Sequence, residues 1–360
     1  PRQVREAEPG AAALGAGGRP SRTRFLLRVV LGLAGLLLLG LFAWRVDWAA
    51  TGALLVRLGP WLPLLLVPYA TVYAADTLGW ALCLRRFPGV SYARLYRVRW
   101  AGEAVNSLIP SAYIAGEAVK VLLLGRNGVG GAEGAAAAVV SKTLQSVGQL
   151  AFIAVGAWAM VSLGTAPAAF SSAAGVVMVA GALLLAGFFV LQHRGLATSL
   201  IQVADGVGLR SGGVRRGLER LRPMDEQVRG FHRERRGRFL GSVTAYFMGW
   251  LLDSVEIFAV AWVLEVPLGW RQALAIEAFI GLVKALSVVI PGAIGVQESG
   301  IVVLCRMSGV EGPFGAAYAL FRRVRELLFA AVGWKFLLLD HVRLRALLRR
   351  TGGASGAELT

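Results

Sequence analysis

Phe25-Leu-Leu-Arg-Val-Val-Leu-Gly-Leu-Ala-Gly-Leu-Leu-Leu-Leu-Gly-Leu-Phe-Ala-Trp44 carries a single charge. Its length is the ~20 residues a helix needs to cross the hydrocarbon core of a bilayer. Similar apolar blocks recur near 60–82, 135–163, 172–192, 239–264 and 314–339. They are continuous and long instead of alternating, so they read as helices in lipid and not as half-buried strands. The expected fold class is therefore all-α: a polytopic helical membrane protein with about six full spans. No small-residue cleavage site follows Trp44, so the first block reads as a retained helix and not a signal peptide. Only 16% of the 360 residues are charged, against about a quarter in soluble domains, which agrees with a lipid environment.

The net charge of +17 would point to nucleic acid in a soluble chain. Here the arginines cluster at the ends of apolar blocks, where membrane orientation and anionic lipid account for them, and no nucleic-acid partner is expected. Arg2, Arg5, Arg19, Arg22 and Arg24 precede the first block, and Arg85, Arg86, Arg94, Arg97 and Arg99 follow the second. Eleven arginines against five acids lie between Arg194 and Arg238, and Arg343, Arg345, Arg349 and Arg350 close the chain. All of these stretches are expected in the cytoplasm, with both termini. The reading divides the chain into a disordered tail (1–23), a first membrane half (24–192), a basic cytoplasmic linker (193–238), a second membrane half (239–340) and a tail (341–360). In the linker, Val214, Leu218, Leu221, Val228 and Phe231 recur near helical spacing, which suggests an interfacial helix broken at Pro223. A solvated charged linker fits the same stretch.

Two segments, 100–125 and 272–309, are interrupted by Pro and Gly and carry charges, so each reads as a re-entrant helical hairpin. Aligned on their prolines, Asn106-Ser-Leu-Ile-Pro110 matches Ser287-Val-Val-Ile-Pro291, and Glu117 matches Glu298. At the same separation (298 − 117 = 181), Lys142 matches Arg323 and Glu103 matches Lys284. The first hairpin would enter from the cytoplasm and the second from outside, which makes an inverted repeat, a transporter architecture. Ionisable groups inside spans cost ~3 kcal/mol each on insertion scales. Asp76, Glu103, Glu117, Lys142, Asp253, Glu256, Glu277, Lys284, Glu298, Arg323 and Glu326 therefore need a reason, either as internal pairs or as a transport pathway. The repeat favours the pathway for Glu117, Glu298, Lys142 and Arg323, which are expected to face one central cavity. Cations there suit a phosphate, and carboxylates suit a proton or a cationic headgroup.

Cys83 and Cys305 lack a CxxC or Cys/His partner and read as packing residues, and His193, His232 and His341 sit alone in basic flanks. No GxSxG, P-loop, HExxH or Ser/His/Asp set is present, so no enzyme, cofactor or metal is expected.

At the hairpins the chain resembles the flippase-like transmembrane family typified by the membrane half of lysylphosphatidylglycerol synthase. The resemblance rests on Asn106 to Pro110, Gly116-Glu117-Ala-Val-Lys120 and Pro291-Gly-Ala-Ile-Gly295-Val-Gln-Glu298. Ile276-Glu277 and Arg323-Val-Arg325-Glu326 are most similar to the subfamily associated with hopanoid biosynthesis. Lys120 stands where relatives often have arginine, and Ala115 where glycine is common; a lysine lacks the planar fork for bidentate phosphate binding. The resemblance implies movement of a phospholipid, polyprenyl lipid or hopanoid between leaflets of a bacterial cytoplasmic membrane. Its lipid pathway would comprise Asn106, Pro110, Gly116, Glu117, Lys120, Lys142, Glu277, Lys284, Pro291, Gly295, Glu298 and Arg323. About twenty residues follow the last block, so the soluble synthase activity of bifunctional relatives is not expected. Expected partners are membrane lipids, anionic at the cytoplasmic face, and lipid-biosynthesis enzymes. A membrane scaffold for such enzymes is the alternative function, and an intramembrane enzyme a third.

Overall fold

A computed structural model describes residues 22–84, 89–108, 114–164, 168–196, 198–199, 201–202, 219, 222–234, 236–286 and 293–354. Among them every regular element is a helix: α1 (Arg22–Arg45), α2 (Trp48–Leu58), α3 (Leu62–Leu65), α4 (Val67–Cys83), α5 (Tyr92–Leu108), α6 (Ile114–Gly125), α7 (Gly131–Leu163), α8 (Ala168–Arg194), α9 (Arg222–Glu234), α10 (Arg236–Val263), α11 (Trp270–Leu286), α12 (Val296–Met307) and α13 (Gly312–Ala354). Within the block expected at 60–82, prolines 60, 63 and 68 each open a new helical turn, so Trp48–Cys83 is a chain of short helices. Among the described residues four helical stretches are long and apolar enough to cross a bilayer: Trp48–Cys83, Gly131–Leu163, Gly175–Arg194 and Arg236–Val263; Leu33–Arg45 is a shorter apolar piece. Helix α13 is long enough, but Arg322, Arg323, Arg325 and Glu326 interrupt its apolar run.

The repeat appears directly in the helix boundaries. Adding 181 to α7 begins it at 312, where α13 begins; α6 becomes 295–306 against 296–307, and α4 becomes 248–264 against a helix ending at Val263. One equivalent pair, α4 and α10, packs together with the two helices running in opposite directions. Cys83, at the end of α4, has Sγ 3.6 Å from Oγ of Ser242 near the start of α10, while Trp61, before α4, meets Trp262 at the end of α10. Each hairpin's first leg crosses to the other half: Arg94 of α5 pairs with Asp340 of α13 at 2.8 Å, and Gln149 of α7 donates to the Gly281 carbonyl of α11 at 3.1 Å. The two halves are thus inverted and interlocked.

Two apolar clusters close the two ends. One gathers Leu84, Val90, Leu123 and Leu124 at the base of the first hairpin with Met224, Val228 and Phe231 of α9. The other gathers Phe42, Met160, Leu264, Leu304 and Phe314 at the base of the second. The chain direction brings the Arg22 end of α1 and Asp340 of α13 to the first-hairpin end together. The outside is apolar as well: Val176, Val179, Leu183 and Leu184 of α8 are exposed, as are Leu33, Leu36 and Leu37 of α1. Such a surface suits lipid.

Several expectations change. The first hairpin begins at Tyr92 and not near 100, so Arg94, Arg97 and Arg99 belong to its first leg and not to a loop. Arg99 is buried against Asp76. Counting arginines by position cannot reveal which helix face they occupy. Helix α9 holds Pro223 next to its first described residue, Arg222; residues 220 and 221, on the other side of the expected break, lie outside the described residues. The apolar face of α9 lies against protein, not in the headgroup layer, and Asp225 ties it down by accepting from the Leu196 N–H at 2.9 Å. The α13 helix continues through the expected tail to Ala354, as its Leu/Arg-rich sequence favours. The tail 1–21, the hairpin tips with Pro110 and Pro291, and Val214, Leu218 and Leu221 lie outside the described residues.

Candidate functional site

Between the two apolar ends lies a cavity of about 230 Å³ bordered by α4, α5, α7, α10, α11 and α13. Its lining includes Asp76, Arg99, Glu103, Lys142, Asp253, Glu277, Lys284 and Arg322, with Tyr69 and Tyr73 on one wall. Both halves contribute, and the charges of these eight side chains balance. Three of these helices, α4 as part of Trp48–Cys83, α7 and α10, belong to stretches apolar enough to cross a bilayer, where charged groups are retained only if they pair or meet water and substrate.

Most of the charge is committed to pairs. Asp76 holds Arg99, whose guanidinium also lies over the Tyr73 ring, 5.0 Å from its centroid. Glu277 takes Arg322 on both oxygens at 2.7 Å, and the Tyr318 hydroxyl donates to Glu277 at 2.5 Å. Glu256 holds Arg325, which stacks over Tyr69, 3.5 Å from the ring centroid. The side chains of Arg322 and Arg325 are 5% and 0% exposed, and those of Lys142 and Lys284 are 35% and 34% exposed. Of these cations the two lysines are the ones a ligand can reach.

The repeat-related residues form matching pairs. Glu117 meets Lys142 at 3.3 Å, and Glu298 meets Arg323 at 2.6 Å. Lys142 donates to Gln145 at 3.1 Å, and Arg323 pairs with Glu326 at 2.8 Å, again 181 residues on. Glu326 also receives Lys284 at 3.5 Å. Of the four residues expected to face the cavity together, Lys142 does. Glu117 stands behind it, while Glu298 and Arg323 reach the cavity through Glu326 and Lys284.

The remaining expected residues divide by role. Glu277 and Lys284 line the cavity. Asn106 and Gly116 clamp the legs of the first hairpin: the Gly116 N–H donates to Asn106 Oδ1 at 2.8 Å, and a Cβ on Gly116 would strike the Gly102 carbonyl. Gly295 (φ +78°) opens α12, donates its N–H to Glu298 Oε2 at 2.7 Å, and packs so closely on Gly35 of α1 that no side chain fits. Lys120 is buried, 2.7 Å from Glu117 and over the Trp80 ring, and it does not border the cavity. Arg99 and Arg322 were missed among the cavity residues, as was Arg325 behind them. Their signal was the unpaired excess of carboxylates among the intramembrane residues.

Among the described residues no group of three His, Cys, Asp or Glu is placed to hold a metal ion. Cys83 and Cys305 are buried free thiols. No curated protein and no solved structure matches the chain. The family described as "Lysylphosphatidylglycerol synthase TM region" matches residues 25–333, and the chain, a multi-pass membrane protein, belongs to that family.

Proposed function

We propose that the protein moves a lipid between the leaflets of a bacterial inner membrane, with the cavity taking the polar headgroup while the acyl or polyprenyl chains stay in the bilayer. The observation that carries this reading is a charge-lined cavity built from both inverted halves and closed by apolar side chains at either end. Two interlocked halves can rock about such a midplane site and open it to each side in turn. The substrate class is a phospholipid, a polyprenyl lipid or a hopanoid, the last on the likeness of its Ile276-Glu277 and Arg323 to Glu326 segments to the hopanoid-associated subfamily. The arginine-rich end, with both chain ends, faces the cytoplasm under the positive-inside rule. The protein catalyses no covalent step on this reading.

The test is reconstitution of the purified protein in liposomes with fluorescent lipid analogues and an impermeant quencher. Accelerated loss of protection relative to empty vesicles, abolished by Lys142→Gln, is the expected result. Inactivity towards all three lipid classes would favour a scaffold for lipid-biosynthesis enzymes on the basic face. Chemical change of the lipid would favour an intramembrane enzyme.

A further inference from the structure

A second cavity, of about 320 Å³, lies away from the charged centre, in the groove between α1 and the α12–α13 pair. Its volume falls within the ~300–1,000 Å³ of ligand pockets. The walls are apolar, with Leu38, Leu41 and Phe42 from α1 facing Val302 and Val303 from α12. Leu41 and Val303 are exposed, so the groove opens on the lipid-facing surface. Its charged lining groups, Arg45, Asp47 and Arg306, all exposed, gather at one end, where α1 ends, α12 ends and α13 begins, while Ser299 is the one uncharged polar side chain along the wall. Asp47 is occupied as the N-cap of α2, accepting from the Ala50 N–H at 3.0 Å. Arg306 lies so close over Gly312 that a Cβ there would meet its guanidinium.

We infer that this groove binds one anionic glycerophospholipid from the bilayer, with the phosphate between Arg45 and Arg306 and an acyl chain along the apolar wall. The division of the groove, apolar along its length and cationic at one end, matches the division of that molecule. A transmembrane partner helix would instead meet apolar contacts throughout. On the orientation proposed above, the cationic end is level with the outer-leaflet headgroups. The groove also ends near a functional element: the backbone of α1 presses on Gly295 at the start of α12. A lipid seated there lies against the helix that carries Glu298, so this is a separate site that can bias the second hairpin.

The experiment uses the full-length protein in phosphatidylcholine vesicles doped with phosphatidylglycerol or phosphatidylcholine carrying a photoactivatable acyl chain. Cross-linked peptides are then mapped. The expected result is labelling of 38–46 and 299–306 by the phosphatidylglycerol probe, at least fivefold above the phosphatidylcholine probe, since each surface arginine contributes about a fivefold preference for anionic lipid. Arg45→Gln with Arg306→Gln should remove that preference, and Arg45→Lys with Arg306→Lys should keep it. Equal labelling by both probes, a preference unchanged in the glutamine variant or lost in the lysine variant, or labelling confined to other helices would overturn the inference. Binding is read here without transport, so its failure leaves the flippase reading intact, and a protein inactive in transport can still pass.

Discussion

Lys120, Lys142 and Glu117 form one cluster in which the three side chains differ in what their loss would do. Glu117 is the partner of a lysine whose side chain is only 5% exposed, so Glu117→Gln leaves Lys120 buried and uncompensated. Breaking one member of a buried pair costs about 3–5 kcal/mol. Glu117→Gln is therefore expected to lower the melting temperature together with transport, and an unshifted melting temperature would contradict the pairing. Glu298→Gln is milder, because Arg323 keeps Glu326. Lys142→Gln and Lys284→Gln should separate function from fold more cleanly. Each lysine is about one-third exposed in the cavity, and its carboxylate keeps another cation, Lys120 for Glu117 and Arg323 for Glu326. Both variants should stay within about 1 kcal/mol of wild-type stability, as for partly solvated pairs, and lose lipid movement. Wild-type transport by both would remove the cavity lysines from the mechanism.

Among the elements, α9 and the start of α12 are held by single features that substitutions can address. Burial of Val228 against the first-hairpin end predicts that Val228→Asp destabilises the protein by several kcal/mol, the cost of burying an unpaired charge. A membrane-lying α9 would tolerate the change at its rim and lose lipid affinity instead, so vesicle binding and thermal stability measured together decide between the two. Gly295→Ala should cost more than an ordinary Gly→Ala change, because the backbone is left-handed there and Gly35 occupies the space. The elements were largely legible in the sequence, since proline, glycine and charge punctuate the apolar blocks at a constant interval of 181. Partner choice was not. Arg322, Arg323 and Arg325 are near neighbours in sequence, yet the ~100° step of a helix sends them to Glu277, Glu298 and Glu256 respectively. Asp253 and Glu256 share a face, as do Glu277 and Lys284, but Glu277 pairs with Arg322 and Lys284 with Glu326, because salt-bridge partners come from crossing helices that periodicity cannot place.

At the scale of the whole molecule, the charged layer lies between two apolar seals, and inverted helices join each seal to the other half. On the proposed alternating-access reading one seal parts while the other holds, and α4 and α10, which meet at the first-hairpin end, are the helices expected to separate there. The structure supplies a way to prevent that. Cys83 Sγ and Ser242 Oγ are 3.6 Å apart across these helices, so Ser242→Cys places two thiols where small side-chain rotations allow a disulfide. Cys305→Ser removes the other native thiol. Once the introduced thiol is oxidised onto Cys83, the first-hairpin end is stapled shut and lipid movement should stop; reduction should restore it, and the reduced protein should run near the wild-type rate. The staple lies beyond the cavity lining, so loss of transport cannot be assigned to damaged headgroup contacts. Complete cross-linking with undiminished transport would mean that this seal never opens between α4 and α10. The lipid would then have to leave sideways, between the hairpins and α13, with the inverted halves serving as a fixed frame.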